Sequence, residues 1–145
     1  MDLQAKPIRL ILVIHDDKEV RTFLKELLTQ NEYVVREAAS GSIAARILGD
    51  HRIDLIVGDD AMTEPDGETT LHKLRRAYPG NKILAMTGKF PAVSTSPHFV
   101  RRRGRFALTD WAGLKARILL GADATLPKPV SADLLIETVE KLLWK

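Results

Sequence analysis

Four short apolar runs in this chain each end in polar residues that can bind a charged group. They are Ile8–Ile14 before His15-Asp16-Asp17, Leu55–Gly58 before Asp59-Asp60, Ile83–Met86 before Thr87-Gly88, and Leu120–Leu126 before Pro127-Lys128-Pro129. Short continuous apolar runs predict strands that are buried on both faces, as in a parallel sheet. If these strands are neighbours, their carboxyl ends lie side by side. The polar residues that follow them then converge on one pocket.

The residue types in this pocket indicate its chemistry. Asp16 and Asp59 are carboxylates, and crowded carboxylates without a counter-ion repel one another, so the pocket calls for a divalent cation. Lys128 and Thr87 add an ammonium group and a hydroxyl, which are suited to stabilising a phosphoryl group. The sequence therefore predicts a metal-assisted phosphoryl site.

Helical patterns alternate with the apolar runs. The predicted strands are Arg9–Ile14, Tyr33–Arg36, Ile53–Val57, Lys82–Met86 and Ala124–Leu126. The predicted helices are Asp17–Gln30, one capped by Ser40 and ending near Gly49, one capped by Asp66 and ending before Pro79, Asp110–Leu120, and one capped by Ser131. We place Phe23 on the apolar stripe of the first helix and Leu134 on that of the last. This alternation predicts an α/β fold, a doubly wound five-stranded parallel sheet that binds ligands at the carboxyl ends of its strands.

One segment is longer than the alternation of strands and helices requires. Thr87 and Lys128 are 41 positions apart, which exceeds an average helix with two short loops. We interpret 89–108 as an inserted basic loop between the fourth strand and the fourth helix, within a single domain of residues 1–145. Residues 89–117 carry 7 Lys or Arg against 1 acid, so the insertion suits an acidic partner surface or nucleic acid. A solvated loop without a partner is the alternative.

The composition excludes several other classes of protein. The chain has no cysteine, which excludes disulfides and thiolate metal sites. None of its apolar runs approaches the ~20 residues that span a bilayer, and its first residues lack a signal-peptide pattern. We therefore expect a cytoplasmic protein that does not associate with membranes.

These motifs together resemble the receiver domain of bacterial two-component response regulators, the CheY-like family. Asp54-Leu-Ile-Val-Gly-Asp59 followed by Asp66-Gly67 is similar to the family's phosphoacceptor strand and the turn after it. Thr87-Gly88 is similar to its switch strand, and Gly121-Ala-Asp-Ala-Thr-Leu-Pro-Lys128-Pro129 to its final strand and lysine. The resemblance extends from Ile8 to Leu143 apart from the insertion. It implies a flavodoxin-like sheet of order 2-1-3-4-5 and a phosphorylation-controlled switch.

The resemblance also implies a role for each matching residue. Asp59 would accept a phosphoryl group from a histidine kinase or phosphotransfer protein, and Lys128 and Thr87 would bind the phosphoryl oxygens. Mg²⁺ would be held by Asp16, Asp59 and the backbone carbonyl of Ala61. The Lys128–Pro129 peptide bond would be cis. The chain would be a monomer or weak dimer that acts on a downstream target protein, and nucleic acid is not the expected partner. No enzymatic activity is implied beyond self-catalysed phosphorylation and dephosphorylation.

The sequence departs from the family pattern at two positions. The spacing of the first helix places His15 and Asp16 where the family has two adjacent acids, so Mg²⁺ should bind more weakly. The alternative pairs Asp16 with Asp17 and shortens the turn into the helix by one residue. Thr125 stands where the family often has an aromatic residue on the last strand. These departures leave open a second interpretation, a pseudo-receiver that binds proteins independently of phosphorylation.

Two enzyme classes with related folds are less compatible with the sequence. A haloacid-dehalogenase phosphatase needs Asp-x-Asp on its catalytic strand, which Asp59-Asp60-Ala61 does not supply. A flavodoxin needs a hydroxyl-rich phosphate loop after the first strand, where Asp16-Asp17 would repel the phosphate.

Overall fold

The computed structural model describes residues 7–87 and 121–144, which form one five-stranded parallel sheet. The strands are β1 (Leu10–Ile14), β2 (Val34–Ala38), β3 (Leu55–Asp59), β4 (Lys82–Thr87) and β5 (Ala124–Pro127). Their order across the sheet is β2-β1-β3-β4-β5, and every neighbouring pair is parallel. The predicted doubly wound, flavodoxin-like sheet of order 2-1-3-4-5 is confirmed.

Helices cover both faces of the sheet. Those in the described part of the chain are α1 (Lys18–Gln30), α2 (Gly41–Asp50), α3 (Thr70–Ala77) and α4 (Ala132–Leu143). Side chains of α2 and α3 share one core cluster with Leu12 and Ile14, whereas those of α1 and α4 share the other with Ile11 and Val13. Successive residues of β1 therefore face opposite layers, as the two-residue period of a strand requires. This burial on both sides explains why β1 is apolar throughout.

Three helices begin at side-chain caps. The side chain of Asp17 accepts a hydrogen bond from the Glu19 amide at the start of α1. Ser40 accepts one from the Ile43 amide at α2, and Ser131 accepts one at α4. A serine or aspartate at this position satisfies a backbone N–H group that has no partner within the helix. The predicted caps at Ser40 and Ser131 are confirmed.

The predicted cap at Asp66 is wrong. The helix begins at Thr70, with Thr69 as its N-cap residue. Asp66 instead accepts a hydrogen bond from the Glu68 amide at 2.9 Å, and Gly67 between them has a φ of 91°. A residue with positive φ cannot continue into a right-handed helix, so Asp66 and Gly67 form a turn before α3.

Two apolar side chains that we placed on buried stripes are partly exposed. Phe23 is 47% exposed and Leu134 is 41% exposed. The buried stripe of α1 consists of Leu24 and Leu28, and that of α4 runs through Leu135, Val139 and Leu143 at intervals of four residues. Both stripes are narrower than the apolar sequence pattern, because each helix contacts only one face of the sheet.

Several predicted features fall on residues that the structure does not describe. The basic insertion 89–108, the helix predicted at 110–120 and Gly88 all lie outside the described ranges. Among residues 7–87 and 121–144, none of the helices has the length and apolar character that crossing a bilayer requires.

Candidate functional site

Asp59 lies at the carboxyl end of β3, near the middle of the sheet. The strand was predicted to end at Val57, but its pairing with β4 continues through Asp59, which is opposite Met86. Asp59 is only 6% exposed. A carboxylate with so little contact with water needs hydrogen-bond donors from the protein.

Two such donors bond the same oxygen of the carboxylate. Oδ1 of Asp59 accepts hydrogen bonds from Nζ of Lys128 at 2.6 Å and from the Ala61 amide at 3.0 Å. Lys128 follows β5, and its own amide donates to the Thr87 carbonyl at 3.2 Å. The Lys128–Pro129 peptide bond is cis, as the resemblance predicted. The lysine thus supplies a positive charge next to the buried carboxylate.

His15 lies on the other side of Asp59. Its Nδ1 accepts a hydrogen bond from the Asp17 amide at 3.0 Å, and its Nε2 lies 3.3 Å from Oδ2 of Asp59. An acceptor role for Nδ1 assigns the proton to Nε2, the ring nitrogen that contacts Asp59. The residue is buried, and its carbonyl accepts a hydrogen bond from Nη1 of Arg21. His15 is therefore held within the pocket.

Asp16 and Asp17 occupy different environments. The Asp16 side chain is 73% exposed, and its Oδ1 lies 3.3 Å from Nδ1 of His15. Ligand atoms of His15, Asp16 and Asp59 all lie within 4.8 Å of one another. Asp17 is the N-cap of α1. The structure thus brings together His15, Asp16 and Asp59, and the carboxylate of Asp17 caps the helix.

Thr87 ends β4 close to the pocket, but its hydroxyl has a different partner. The side chain is 1% exposed, and Oγ1 donates a hydrogen bond to the Leu126 carbonyl at 3.3 Å. This bond joins β4 to β5. Thr125 pairs with Ala85 in the same pair of strands. The threonine predicted to contact a phosphoryl group therefore bonds to the neighbouring strand.

The donor set fits a divalent cation. Two carboxylates from neighbouring strands and one imidazole lie close enough to share an ion. Ala61, whose carbonyl the resemblance assigns as a further ligand, lines the same cavity of about 420 Å³ as Asp16. Oxygen ligands suit Mg²⁺, whereas the imidazole is a ligand that Mg²⁺ uses less readily.

A second cavity, of about 360 Å³, opens beside the lysine. It is largely apolar, and its lining includes His15, Val20, Phe23, Lys128, Pro129 and Val130. We did not predict this groove from the sequence. The sequence feature that corresponds to it is Phe23, which we placed on the buried stripe of α1 but which is 47% exposed.

The comparisons with known proteins agree with this geometry. The family model described as "Response regulator receiver domain" matches residues 11–96, more than half of the chain. The chain therefore belongs to the response regulator receiver domain family, which serves two-component signalling.

Relatives that contain this domain are longer than the chain. It is 31% identical over 140 residues to the sensor kinase CckA of Brucella abortus (strain 2308), covering 93% of the chain and 12% of that protein. It is 33% identical over 137 residues to the response regulator MprA of Mycobacterium sp. (strain KMS), covering 94% of the chain and 51% of that protein. The chain thus spans about half or less of each of these relatives.

Solved structures show the same fold. The signal receiver domain of an HD domain-containing protein from Pseudomonas fluorescens Pf-5 gives a TM-score of 0.71 at 20% identity, covering 95% of this chain and 96% of that one. The co-crystal structure of the Saccharomyces cerevisiae phosphotransfer protein Ypd1 with the receiver domain of Ssk1 gives 0.70 at 16% identity, covering 97% and 92%. At these identities the likeness concerns the fold alone.

Proposed function

We propose that this chain is a phosphorylation-controlled switch in which Asp59 accepts a phosphoryl group from a phosphohistidine donor. The observation that carries the proposal is the buried Asp59 carboxylate, which bonds Lys128 at 2.6 Å and lies within 4.8 Å of ligand atoms from two further polar side chains. Membership of the receiver family supports it. Phosphorylation of Asp59 would shift the equilibrium between two conformations of the protein.

In the proposed reaction, a carboxylate oxygen of Asp59 attacks the phosphorus atom of the donor. The new P–O bond forms as the donor's P–N bond breaks, and the released imidazole nitrogen takes a proton. Lys128 holds Asp59 in place beforehand and then neutralises a phosphoryl oxygen. The amide of Ala61, 3.0 Å from Oδ1, fixes the orientation of the carboxylate.

Asp16, Asp59 and the Ala61 carbonyl are the groups that would hold the Mg²⁺ that this chemistry calls for. When bound, it cancels negative charge that accumulates as a phosphoryl group meets a carboxylate. The exposed Asp16 carboxylate is accessible to an ion from solvent. With His15 in place of a second acid, the pocket has one negative charge fewer, so Mg²⁺ is held less tightly.

Thr87 provides a route from the modified Asp59 to the rest of the fold. Its hydroxyl bonds to the Leu126 carbonyl at 3.3 Å, a long and therefore weak hydrogen bond. A phosphoryl oxygen on Asp59 is a charged acceptor, and charge-assisted hydrogen bonds are roughly twice as strong as neutral ones. Rotation of the Thr87 hydroxyl toward the phosphoryl oxygen would break its hydrogen bond to Leu126 of β5. This would alter the surface that a target protein binds.

The donor is a histidine kinase or a phosphotransfer protein. The co-crystal structure of Ypd1 with the Ssk1 receiver domain is one such pairing, and the relative CckA is named a sensor kinase. The apolar groove beside Lys128, with Phe23 47% exposed at its side, offers the donor a surface within reach of Asp59.

The chain itself would be a cytoplasmic monomer or weak dimer without membrane or nucleic-acid binding, and it would perform no catalysis beyond its own phosphorylation and dephosphorylation.

A pseudo-receiver is the second candidate, and His15 favours it. The Asp59 carboxylate contacts Lys128, Ala61 and His15, so its negative charge has partners within the protein. A pocket satisfied in this way could serve as a protein-binding module that is insensitive to phosphate.

Intact-mass measurement after treatment with acetyl phosphate and Mg²⁺ separates the two candidates. We expect the unmodified chain to gain one phosphoryl group, Asp59→Asn to gain none, and Asp17→Asn to behave like the unmodified chain because asparagine also caps helices. Labelling that persists in Asp59→Asn would refute the assigned acceptor. Absence of labelling in the unmodified chain would favour the pseudo-receiver.

A further inference from the structure

The imidazole of His15 bridges the two carboxylates of the pocket. Nδ1 lies 3.3 Å from Oδ1 of Asp16, and Nε2 lies 3.3 Å from Oδ2 of Asp59. Neighbouring ligand atoms around a cation with bonds of about 2.1 Å are separated by about 3 Å. Each ring nitrogen is therefore paired with a carboxylate oxygen at a distance close to that between adjacent ligands.

The tautomer of His15 suits a metal ligand, because Nδ1 accepts from the Asp17 amide and therefore has a lone pair. Nδ1 lies beside the Asp16 carboxylate, and Nε2, which carries the proton, lies beside that of Asp59. Histidines that bind metals usually donate their second ring N–H to a carboxylate or carbonyl, which fixes the ring and raises its basicity. The pocket places Asp59 beside Nε2 for this role.

The ring cannot easily leave the pocket. The His15 side chain is 11% exposed, and the Asp17 amide and Asp59 hold its two nitrogens. Binding an ion at Nδ1 would displace the 3.0 Å bond from the Asp17 amide, whereas binding at Nε2 would displace the longer contact with Asp59. In either case the ion gains a nitrogen ligand.

We propose that His15, Asp16 and Asp59 form a site selective for a divalent cation that takes nitrogen as well as oxygen ligands, with Zn²⁺ as its representative, over Mg²⁺. Zn²⁺ binds imidazole and carboxylate at 2.0–2.2 Å, whereas Mg²⁺ prefers oxygen ligands and keeps much of its water. This inference rests on the pocket of the proposed function and replaces Mg²⁺ there with a cation of another class. It can be tested without any phosphodonor, so its failure would leave the phosphorylation proposal standing.

The test compares Zn²⁺ and Mg²⁺ binding by calorimetry, with each metal chloride alone, in the unmodified chain and in His15→Asp. We expect His15→Asp to weaken Zn²⁺ and strengthen Mg²⁺, so that the Zn²⁺-to-Mg²⁺ affinity ratio falls by at least about tenfold. The matched control is His72→Gln, which removes an exposed histidine paired with Glu68 and should leave the ratio unchanged. An unchanged ratio in His15→Asp, or an equal fall in His72→Gln, would overturn the proposal.

A direct readout covers the case in which His15→Asp fails to fold. Nitrogen-15 NMR of the unmodified chain should show one ring nitrogen of His15 shifting on addition of Zn²⁺, with no such shift on addition of Mg²⁺. A His15 resonance that does not respond to saturating Zn²⁺ would overturn the proposal, whatever the variant does.

Discussion

Nζ of Lys128 lies 2.6 Å from Oδ1 of Asp59, although the two residues are 69 positions apart in the chain. Asp59 ends β3 and Lys128 follows β5, with β4 between the two strands. The contact therefore crosses the carboxyl edge of the sheet. The Asp59 side chain is 7% exposed and that of Lys128 is 27% exposed, so a buried negative charge is balanced by a cation that still reaches solvent.

Lys128→Met should therefore destabilise the fold as well as impair phosphorylation. It leaves a buried carboxylate without its cation, and we expect a loss of about 1–2 kcal/mol in the free energy of unfolding, reduced by the partial exposure of the lysine. Urea denaturation measures this. The control is Lys141→Met, which breaks an exposed pair with Glu137 and should change stability by less than about 0.5 kcal/mol. Equal stability of the two variants would contradict the prediction.

Gly58→Ala should destabilise the fold by about 1–3 kcal/mol because of overpacking. A Cβ atom at Gly58 would lie 2.6 Å from Cδ2 of Leu71, a fully buried residue of α3. Gly49→Ala is the matched control, since a Cβ there meets nothing within 4 Å and the residue lies inside α2. It should stabilise the helix by about 0.5–1 kcal/mol. Thermal denaturation compares the two, and a neutral Gly58→Ala would show that Leu71 can move aside.

Arg75→Lys should cost about 2–3 kcal/mol despite the conserved charge. The guanidinium donates to the carbonyls of Pro79, Asn81 and Gly121 and to the carboxylate of Asp123. It joins the end of α3 to the segment that enters β5, and a lysine cannot reach four acceptors at once.

The control for Arg75→Lys is the neighbouring Arg76→Lys. Arg76 is 59% exposed and pairs with Glu68 on the surface, so this change should alter stability by less than about 0.5 kcal/mol. Guanidinium chloride denaturation of both variants checks the difference. Similar midpoints would mean that the Arg75 hydrogen bonds contribute little.

Tyr33 should make stability fall at alkaline pH. Burial raises the pKa of its hydroxyl above the ordinary value of 10.0, Glu140 adds to this, and the hydrogen bond from Trp144 and the charge of Arg9 oppose it. Because the folded state holds this proton more tightly than the unfolded state, the stabilisation is complete below pH 10.0 and is lost as the pH rises through the raised pKa.

The absorbance of tyrosinate as a function of pH measures this pKa. The difference between the titrations of the unmodified chain and Tyr33→Phe isolates Tyr33 from Tyr78. We expect the difference curve to have its midpoint above 10.0, and the stability of Tyr33→Phe to decline less steeply in that range. A midpoint at or below 10.0 would refute the effect of burial.

Much of the fold could be predicted because its signals are local. The apolar run of β1 indicates burial on both faces, and the serines at 40 and 131 mark helix starts through hydrogen bonds that span three residues. Asp66 is a position where the local signal was misleading. Aspartate is a good capping residue, but Gly67 has positive φ and forms a turn, and Thr69 pairs with Thr63 in a β-bridge, so the helix begins only at Thr70.

The candidate site was only partly predictable. Parallel strand ends placed Asp59 and Lys128 at one edge of the sheet, because strand order alone brings them together. The direction of each side chain could not be predicted from the sequence. The Thr87 hydroxyl bonds to Leu126, a choice that depends on the register of β4 with β5 and that no sequence pattern indicates.

The sequence by itself determined the class of fold, the edge of the sheet that carries the chemistry and the residue types available there. Periodicity is a property of short segments, and the alternation of strands and helices along the chain can be read without knowledge of packing. Only the tertiary structure decided that the ring of His15 lies between Asp16 and Asp59, and that Arg75 joins α3 to Gly121. The contacts of His15 with Asp59 and of Arg75 with Gly121 join segments far apart in the chain, and their geometry depends on how the helices pack against the sheet to within an ångström.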